Sequence, residues 1–381
     1  MTINEEKLKA FQKHKLKIFQ RNIFLNCTLL IDREVGEKMI HDFEQEIENK
    51  RLALKNDIKK TGGNFARMLL ILAISTYAIV FIIILFIKVK GRILGIDTTT
   101  NDELNIILGI SKDKYNFLIG YLPCIIGDLI AITIAIKTTK IRFKEDIFSR
   151  NKSPKRFIFL GTISCIGTGM ISSIIYLTYS TIIKYYGIII PEPDFSFPTE
   201  STYLILFLMY ACVIGPILEE IIFRGFILKS MQKYGNLTAI IVSSILFSMF
   251  HLNLVQFVNP VIMGIVLGFI AIKSKSIVPS IIAHIFNNSI TFIALGISLL
   301  KMTSIQSIFT ITYMFVGISA LILFIKIYRK DFIETIKEDT RILKTYEKVK
   351  VTFSGAWALI YIASYIVFVV GLMILTNVFK N

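Results

Sequence analysis

Blocks of about twenty consecutive apolar residues, separated by charged loops, recur along this chain from residue 68 to its end. Twenty residues at 1.5 Å each is about the length that crosses a 30 Å hydrocarbon core. Within lipid every backbone N–H and C=O must be paired inside its own segment, which leaves helices as the spanning element for such blocks. The expected fold class is therefore all-α, a polytopic transmembrane helix bundle. Nine spans are read at about 68–87, 115–136, 157–183, 202–228, 237–256, 258–273, 277–299, 307–327 and 356–379. The block at 258–273 is short and opens on Asn259-Pro260, which suits a tilted or re-entrant segment. Composition agrees: 54% of the 381 residues are hydrophobic and 18% charged, where soluble chains carry about a quarter charged.

The net charge of +16 does not point to nucleic acid, because the basic residues sit in loops between apolar blocks and form no aromatic-rich soluble module. Segments 137–156 and 326–354 each hold eight Lys or Arg, whereas 184–201 and 300–306 each hold one, Lys184 and Lys301. By the positive-inside rule the N-terminus is expected in the cytosol and the C-terminus outside, in the plasma membrane, with the basic loops meeting anionic lipid headgroups.

The domain reading is a cytosolic helical segment over 1–66, membrane helices over 67–200, a core over 201–300 and further membrane helices over 301–381. Gly62-Gly63 reads as a flexible joint into the membrane, and Ile23–Ile31 as too short to span and suited to the interface. The first residues lack the features of a cleaved signal peptide, so the first spanning block is expected to be an uncleaved anchor. Cys27, Cys124, Cys165 and Cys212 are scattered singly and read as small core residues.

The polar residues inside the apolar blocks carry the functional signal, since a charge at bilayer depth costs about 2.5–3.5 kcal/mol even on lenient scales. Glu220 and Arg224 are four apart, on one helical face, and suited to an ion pair. Glu219 is turned about 100° away and free to face elsewhere. His251 follows Phe247 by one turn, and His284 and Asn288 share a face two helices later. A lone Glu–Arg pair or a lone His is commonly structural; two Glu, one Arg, two His and one Asn on three nearby helices are not. Counted from the span ends, these groups are expected in one pocket in the cytosolic half of the membrane. Asp128 is a separate intramembrane acid, expected in a structural or network role.

Glu219-Glu220-x-x-x-Arg224, Phe247-x-x-x-His251 and His284-x-x-x-Asn288 resemble, in order and spacing, the three motifs of the CAAX protease and bacteriocin-processing (CPBP, or Abi) intramembrane proteases. The resemblance covers about 202–297. It implies an intramembrane endopeptidase in which Glu219 is the general base, assisted by His251. His284 and Asn288 would bind the water or metal and stabilise the oxyanion, while Glu220 and Arg224 set the electrostatics. It implies a peptide or prenylated protein as substrate, cut near the cytosolic face, with bacterial relatives linked to peptide maturation or bacteriocin self-immunity. Glu219, His251 and His284 would also suit Zn²⁺ with an open position for water, although the H-E-x-x-H spacing is absent. The expectation is metal-free activation with zinc as the alternative. Two other classes stand beside the protease: a non-catalytic membrane scaffold, and a proton-coupled transporter, which the lack of an inverted repeat disfavours. The sequence sets no oligomeric state.

Overall fold

The structure, a computed structural model, describes residues 33–95, 109, 111–193, 196–299 and 303–378. The chain divides into two compact units, 1–54 and 55–381. In the first, the described residues are helical from Arg33 and carry exposed pairs such as Lys50–Glu46 and Arg51–Glu48. The interfacial reading of Ile23–Ile31 lies outside the described residues.

Ten helices and a short π turn at Phe143–Ile147 make up the regular structure of the described residues, and no strand occurs among them. The helices are α1 (Arg33–Ile93), α2 (Lys112–Thr138), α3 (Lys155–Tyr185), α4 (Ser201–Tyr234) and α5 (Asn236–Phe250). After these come α6 (Val258–Ser274), α7 (Val278–Leu299), α8 (Thr303–Ile336), α9 (Thr345–Thr352) and α10 (Ala356–Val378). Seven of them are long and apolar enough to span, and α5 and α6 are the two shorter apolar helices that complete the expected nine. At 15 and 17 residues, α5 and α6 reach only about 22–26 Å. They pack against each other as a hairpin, so the short block at 258–273 is joined in its shortness by its partner. The turn, 251–257, passes through Leu252 at φ +53, a left-handed conformation uncommon for a branched residue. Asn253 holds it, donating to the His251 carbonyl (2.8 Å) and accepting from the Gln256 N–H (2.7 Å).

Apolar lipid gives helices no hydrophobic reason to associate, so close backbone approach at small residues takes its place. A Cβ at Gly167 on α3 would stand 2.5 Å from the carbonyl oxygen of Gly317 on α8, and one at Gly317 would meet Ile166 at 2.5 Å. Between α6 and α5 the pair is Gly264 on Ser244. Gly62 behaves likewise, and here the structure corrects the sequence reading. α1 runs unbroken through Gly62-Gly63, and a Cβ at Gly62 would meet the Thr352 carbonyl at 2.4 Å. The glycine is a packing contact against α9, not a joint.

Polar contacts mark the two ends of the unit. At one end the basic loop between α2 and α3 meets the α6–α7 turn. There the Ile277 N–H donates to the Ile147 carbonyl and the Lys152 N–H to the Ser274 carbonyl. At the same end Glu338, after α8, caps α5: it accepts from the Thr238 N–H (3.2 Å), from the Thr345 hydroxyl (2.6 Å) and from Lys348 Nζ (3.2 Å). A carboxylate at a helix N-terminus complements the helix dipole. At the other end the Thr199 and Glu200 N–H groups donate to Asp113 (both 2.7 Å), and Asn377 pairs with the backbone of Ile189.

Two expectations follow from this packing. Gly167→Leu forces α3 away from α8 and should lower stability in detergent by about 1–3 kcal/mol. Gly371→Ala, with open space around it, should change it little; equal melting of both variants would refute the close-approach argument. Burial pushes the Glu338 carboxyl up, but the hydrogen bonds from Thr345 and Thr238 and the Lys348 ammonium outweigh it and hold its pKa below the ordinary 4.5. A depressed carboxyl stabilises the fold above its unfolded pKa and loses that contribution as pH falls through its folded pKa. Glu338→Gln should therefore melt below the parent at pH 7, and the gap should close as pH is lowered through and beneath 4.5. A gap that is constant with pH would show that the ionised carboxylate is not the source.

Candidate active site

The site is built on α4. Pro216 lacks the N–H that would bond one turn back, and wider π turns flank it at Tyr210–Ile214 and Ile221–Leu228. The α-helical stretch between them is Gly215–Glu220, which places both glutamates at its end. Such π insertions recur at functional positions because they re-aim side chains without breaking the helix.

Glu220 and Arg224 form the ion pair their spacing suggested. Arg224 Nη1 donates to Glu220 Oε1 at 2.7 Å, with both side chains 0% exposed. The guanidinium carbon also sits 4.4 Å from the centre of the Phe247 ring. A weakly hydrated planar cation over an aromatic face is the form of buried charge that costs least to keep from water. The same Glu220 oxygen accepts from His284 Nδ1 at 3.1 Å. That bond orients the imidazole so that its Nε2 lies 3.6 Å from Glu219 Oε2. Arg224, Glu220, His284 and Glu219 thus form a chain of contacts running from sealed interior to cavity wall.

His251 ends α5, with its Nδ1 2.9 Å from the Phe247 carbonyl. A carbonyl only accepts, so Nδ1 carries the proton and Nε2 is left as the basic nitrogen. Phe247 stands between the histidines, with ring centres 5.1 Å from His251 and 5.7 Å from His284. Asn288 donates one amide hydrogen to the Ala211 carbonyl (3.0 Å), in the first π turn of α4, and keeps its second.

Glu219, His251, His284 and Asn288 all line one cavity of about 420 Å³. Glu220 and Arg224 do not reach it. The division between a free carboxylate and a clamped one is therefore a division of space: Glu219 is 16% exposed and its neighbour is sealed behind it. Asp128, on α2, lies outside the cavity wall, 2% exposed, and its Oδ1 has no hydrogen-bond partner among the described residues.

Among the described residues, no three His, Cys, Asp or Glu side chains converge as a metal-holding group. His284 Nδ1 is held by Glu220, which leaves its Nε2 3.6 Å from Glu219 Oε2. As placed, Glu219, His251 and His284 do not make a zinc site, and no step below is routed through a metal.

The cavity also has walls that motif reasoning missed: Ser172, Ser173 and Tyr176 on α3, Gln256 and Asn259 at the hairpin, Tyr210 on α4 and Tyr313 on α8. A signal for some of them was present. Gly169, Ser172, Ser173 and Tyr176 recur at helical spacing within an apolar span, marking one face of α3 that is not lipid-like.

Residues 201–290 match the family model for type II CAAX prenyl endopeptidase Rce1-like proteins. The curated protein "Putative membrane peptidase YdiL" of Bacillus subtilis (strain 168) is 33% identical over 89 residues. That match takes in 23% of this chain and 36% of the relative, so it spans about a third of the relative's length. No solved structure matches. The matched segment carries α4 to α7 and with them every residue of the three motifs. Over that segment the chain is similar to the CAAX protease and bacteriocin-processing family of membrane proteins.

Proposed function

We propose that this integral membrane protein is an intramembrane endopeptidase in which Glu219 activates water against a peptide bond held in the cavity. One observation carries the reading. The unclamped glutamate, both histidines and an asparagine amide face one space, while the compensating Glu220–Arg224 pair is withdrawn from it. A folding clamp would need the pair alone; it would not need a second carboxylate and a free imidazole nitrogen in a 420 Å³ cavity. The family likeness of 201–290 supports the same reading.

The steps use the chain's own residues. A water between Glu219 and His251 Nε2 gives its proton to the Glu219 carboxylate as its oxygen attacks the scissile carbonyl carbon. The carbonyl π electrons move to oxygen, and the oxyanion is met by the remaining Asn288 N–H, with His284 held alongside by its bond to Glu220. Collapse restores the carbonyl and expels the amine, which takes the proton from Glu219 as it leaves. Arg224 pairs with Glu220, and the shared Glu220 oxygen holds His284 in orientation. The substrate is a peptide or a lipidated protein, the enzyme requires no metal, and the protein sits in the plasma membrane with its N-terminus in the cytosol and its C-terminus outside.

Glu219→Gln keeps shape and removes the base, so cleavage by purified protein should fall by about 10²–10⁴-fold with melting temperature unchanged. Retained cleavage would sink the assignment, and lost abundance would favour a scaffold role. Arg224→Ala differs, because it strands Glu220 as an unpaired buried charge at a cost of about 3–5 kcal/mol. Its folded yield should drop, and Glu220→Gln combined with Arg224→Met should recover part of that yield without recovering full activity. An inactive Arg224→Ala that melts with the parent would make the arginine a substrate-binding group instead.

A further inference from the structure

We propose that the cavity is entered from the end of the bundle opposite the basic loops, and that its substrate is a charge-poor peptide segment presented at the outer leaflet. The direction of entry rests on geometry and on the Lys/Arg asymmetry of the loops; calling the occupant a substrate rests on the proteolytic reading above.

The cavity extends one way from the Glu219–His284 pair. On α3 its wall runs from Gly169 to Tyr176, which lie 14 to 21 residues beyond Lys155, or about 21–32 Å from the end where the basic loops gather. On α8, which runs in the opposite direction, it includes Tyr313, about 15 Å from Thr303 at the far end. The hairpin turn contributes Val255 and Gln256, and the Tyr179 hydroxyl, further still along α3, bonds the Leu254 carbonyl in that turn. Because α5 and α6 stop short, the volume above their turn is left to the cavity.

Toward the basic loops the described residues are closely packed. Beneath the Glu220–Arg224 pair lie Phe226, Leu228, Ile240, Leu267 and Ile270, none more than 1% exposed. The packing is close: a Cβ at Gly268 would stand 3.3 Å from Ile240, and one at Gly161 would stand 2.9 Å from Ile270. A peptide approaching from the Lys- and Arg-rich end would have to displace this layer, and interiors packed at crystal-like density do not open at small cost. The positive-inside pattern of the loops then makes the open end the extracytoplasmic one. The depth of the pocket counted from the span ends says nothing of which side is plugged.

The open wall also selects chemistry. Ser173, Tyr176, Gln256, Asn259 and Thr291 offer neutral donors and acceptors, and Met170, Phe292 and Met263 offer apolar surface. No lysine, arginine or aspartate lines the cavity, and its ionisable groups besides tyrosines are Glu219, His251 and His284. Main-chain amides and neutral or apolar side chains are matched there; a terminal carboxylate or a phosphate would find no cation. An internal peptide segment fits better than a free C-terminus.

The test is thiol accessibility in intact cells. In a background with Cys27, Cys124, Cys165 and Cys212 replaced by serine, single variants Ser173→Cys and Gln256→Cys mark the wall. Tyr186→Cys marks the far end and Arg150→Cys the basic end. A membrane-impermeant maleimide should label positions 173, 256 and 186 from outside, and position 150 only after permeabilisation. If 173 and 256 react only after permeabilisation, whether or not 186 does, the outer-leaflet substrate is refuted. Failure of both to react on either side refutes an open mouth. Labelling requires no cleavage, so it stands or falls separately from Glu219→Gln, whose retained activity would sink the protease and leave the mouth in place.

Discussion

A single buried ion pair sets the terms for the rest of this structure. Glu220 and Arg224 lie entirely out of solvent, in a span where each alone would cost several kcal/mol. Their spacing along α4 makes the pairing local, so the charge is compensated before any tertiary contact forms. Phe247 then covers the guanidinium from α5, and His284 from α7 takes the second lone pair of the shared Glu220 oxygen. Three helices are thereby fixed around one polar knot, and the knot decides which side chains are left over. Glu219 and His251 are left over, and they face the cavity.

Much of this is written at the level of spacing. A four-residue separation places Glu220 on Arg224 and about 100° of helix rotation turns Glu219 away from Glu220, and the structure keeps both relations even though α4 passes into a π turn immediately afterwards. The spans are legible for the same reason: apolar runs in lipid admit one backbone solution. What spacing does not encode is who stands behind a residue. Gly62-Gly63 reads as a hinge because glycine is usually permissive; its actual reason is the Thr352 carbonyl 2.4 Å from where a Cβ would be, a contact between residues nearly three hundred positions apart. The hairpin is a similar case. Apolar length suggested that the 237–256 block spans, but α5 ends at Phe250 and the remaining residues turn back through Leu252.

The polar wall of α3 was the least legible part of the site. Serine and threonine in an apolar helix can satisfy themselves by bonding the carbonyl a turn behind, as Ser172, Ser173 and Thr178 do here. Such residues carry little burial penalty and so little sequence signal. Only their recurrence on one face with Gly169 and Tyr176 distinguishes a cavity wall from lipid-compatible packing, and that becomes decisive only once α7 and the hairpin are known to stand opposite.

The two short helices matter more than their length suggests. A full-length α5 and α6 would extend the close-packed layer of Ile240, Leu267 and Ile270 and fill the space that Glu219 faces. Stopping the hairpin at His251 does two things at once. It places a histidine where α5 ends, its Nδ1 held by the Phe247 carbonyl, so that the free nitrogen is not needed by the helix. It also removes two helices' worth of side chains from the far half of the bundle, and a cavity results without any spanning helix being displaced. Access and basicity therefore share one structural cause, the turn at 251–257, and the strained conformation at Leu252 is the local cost of that arrangement.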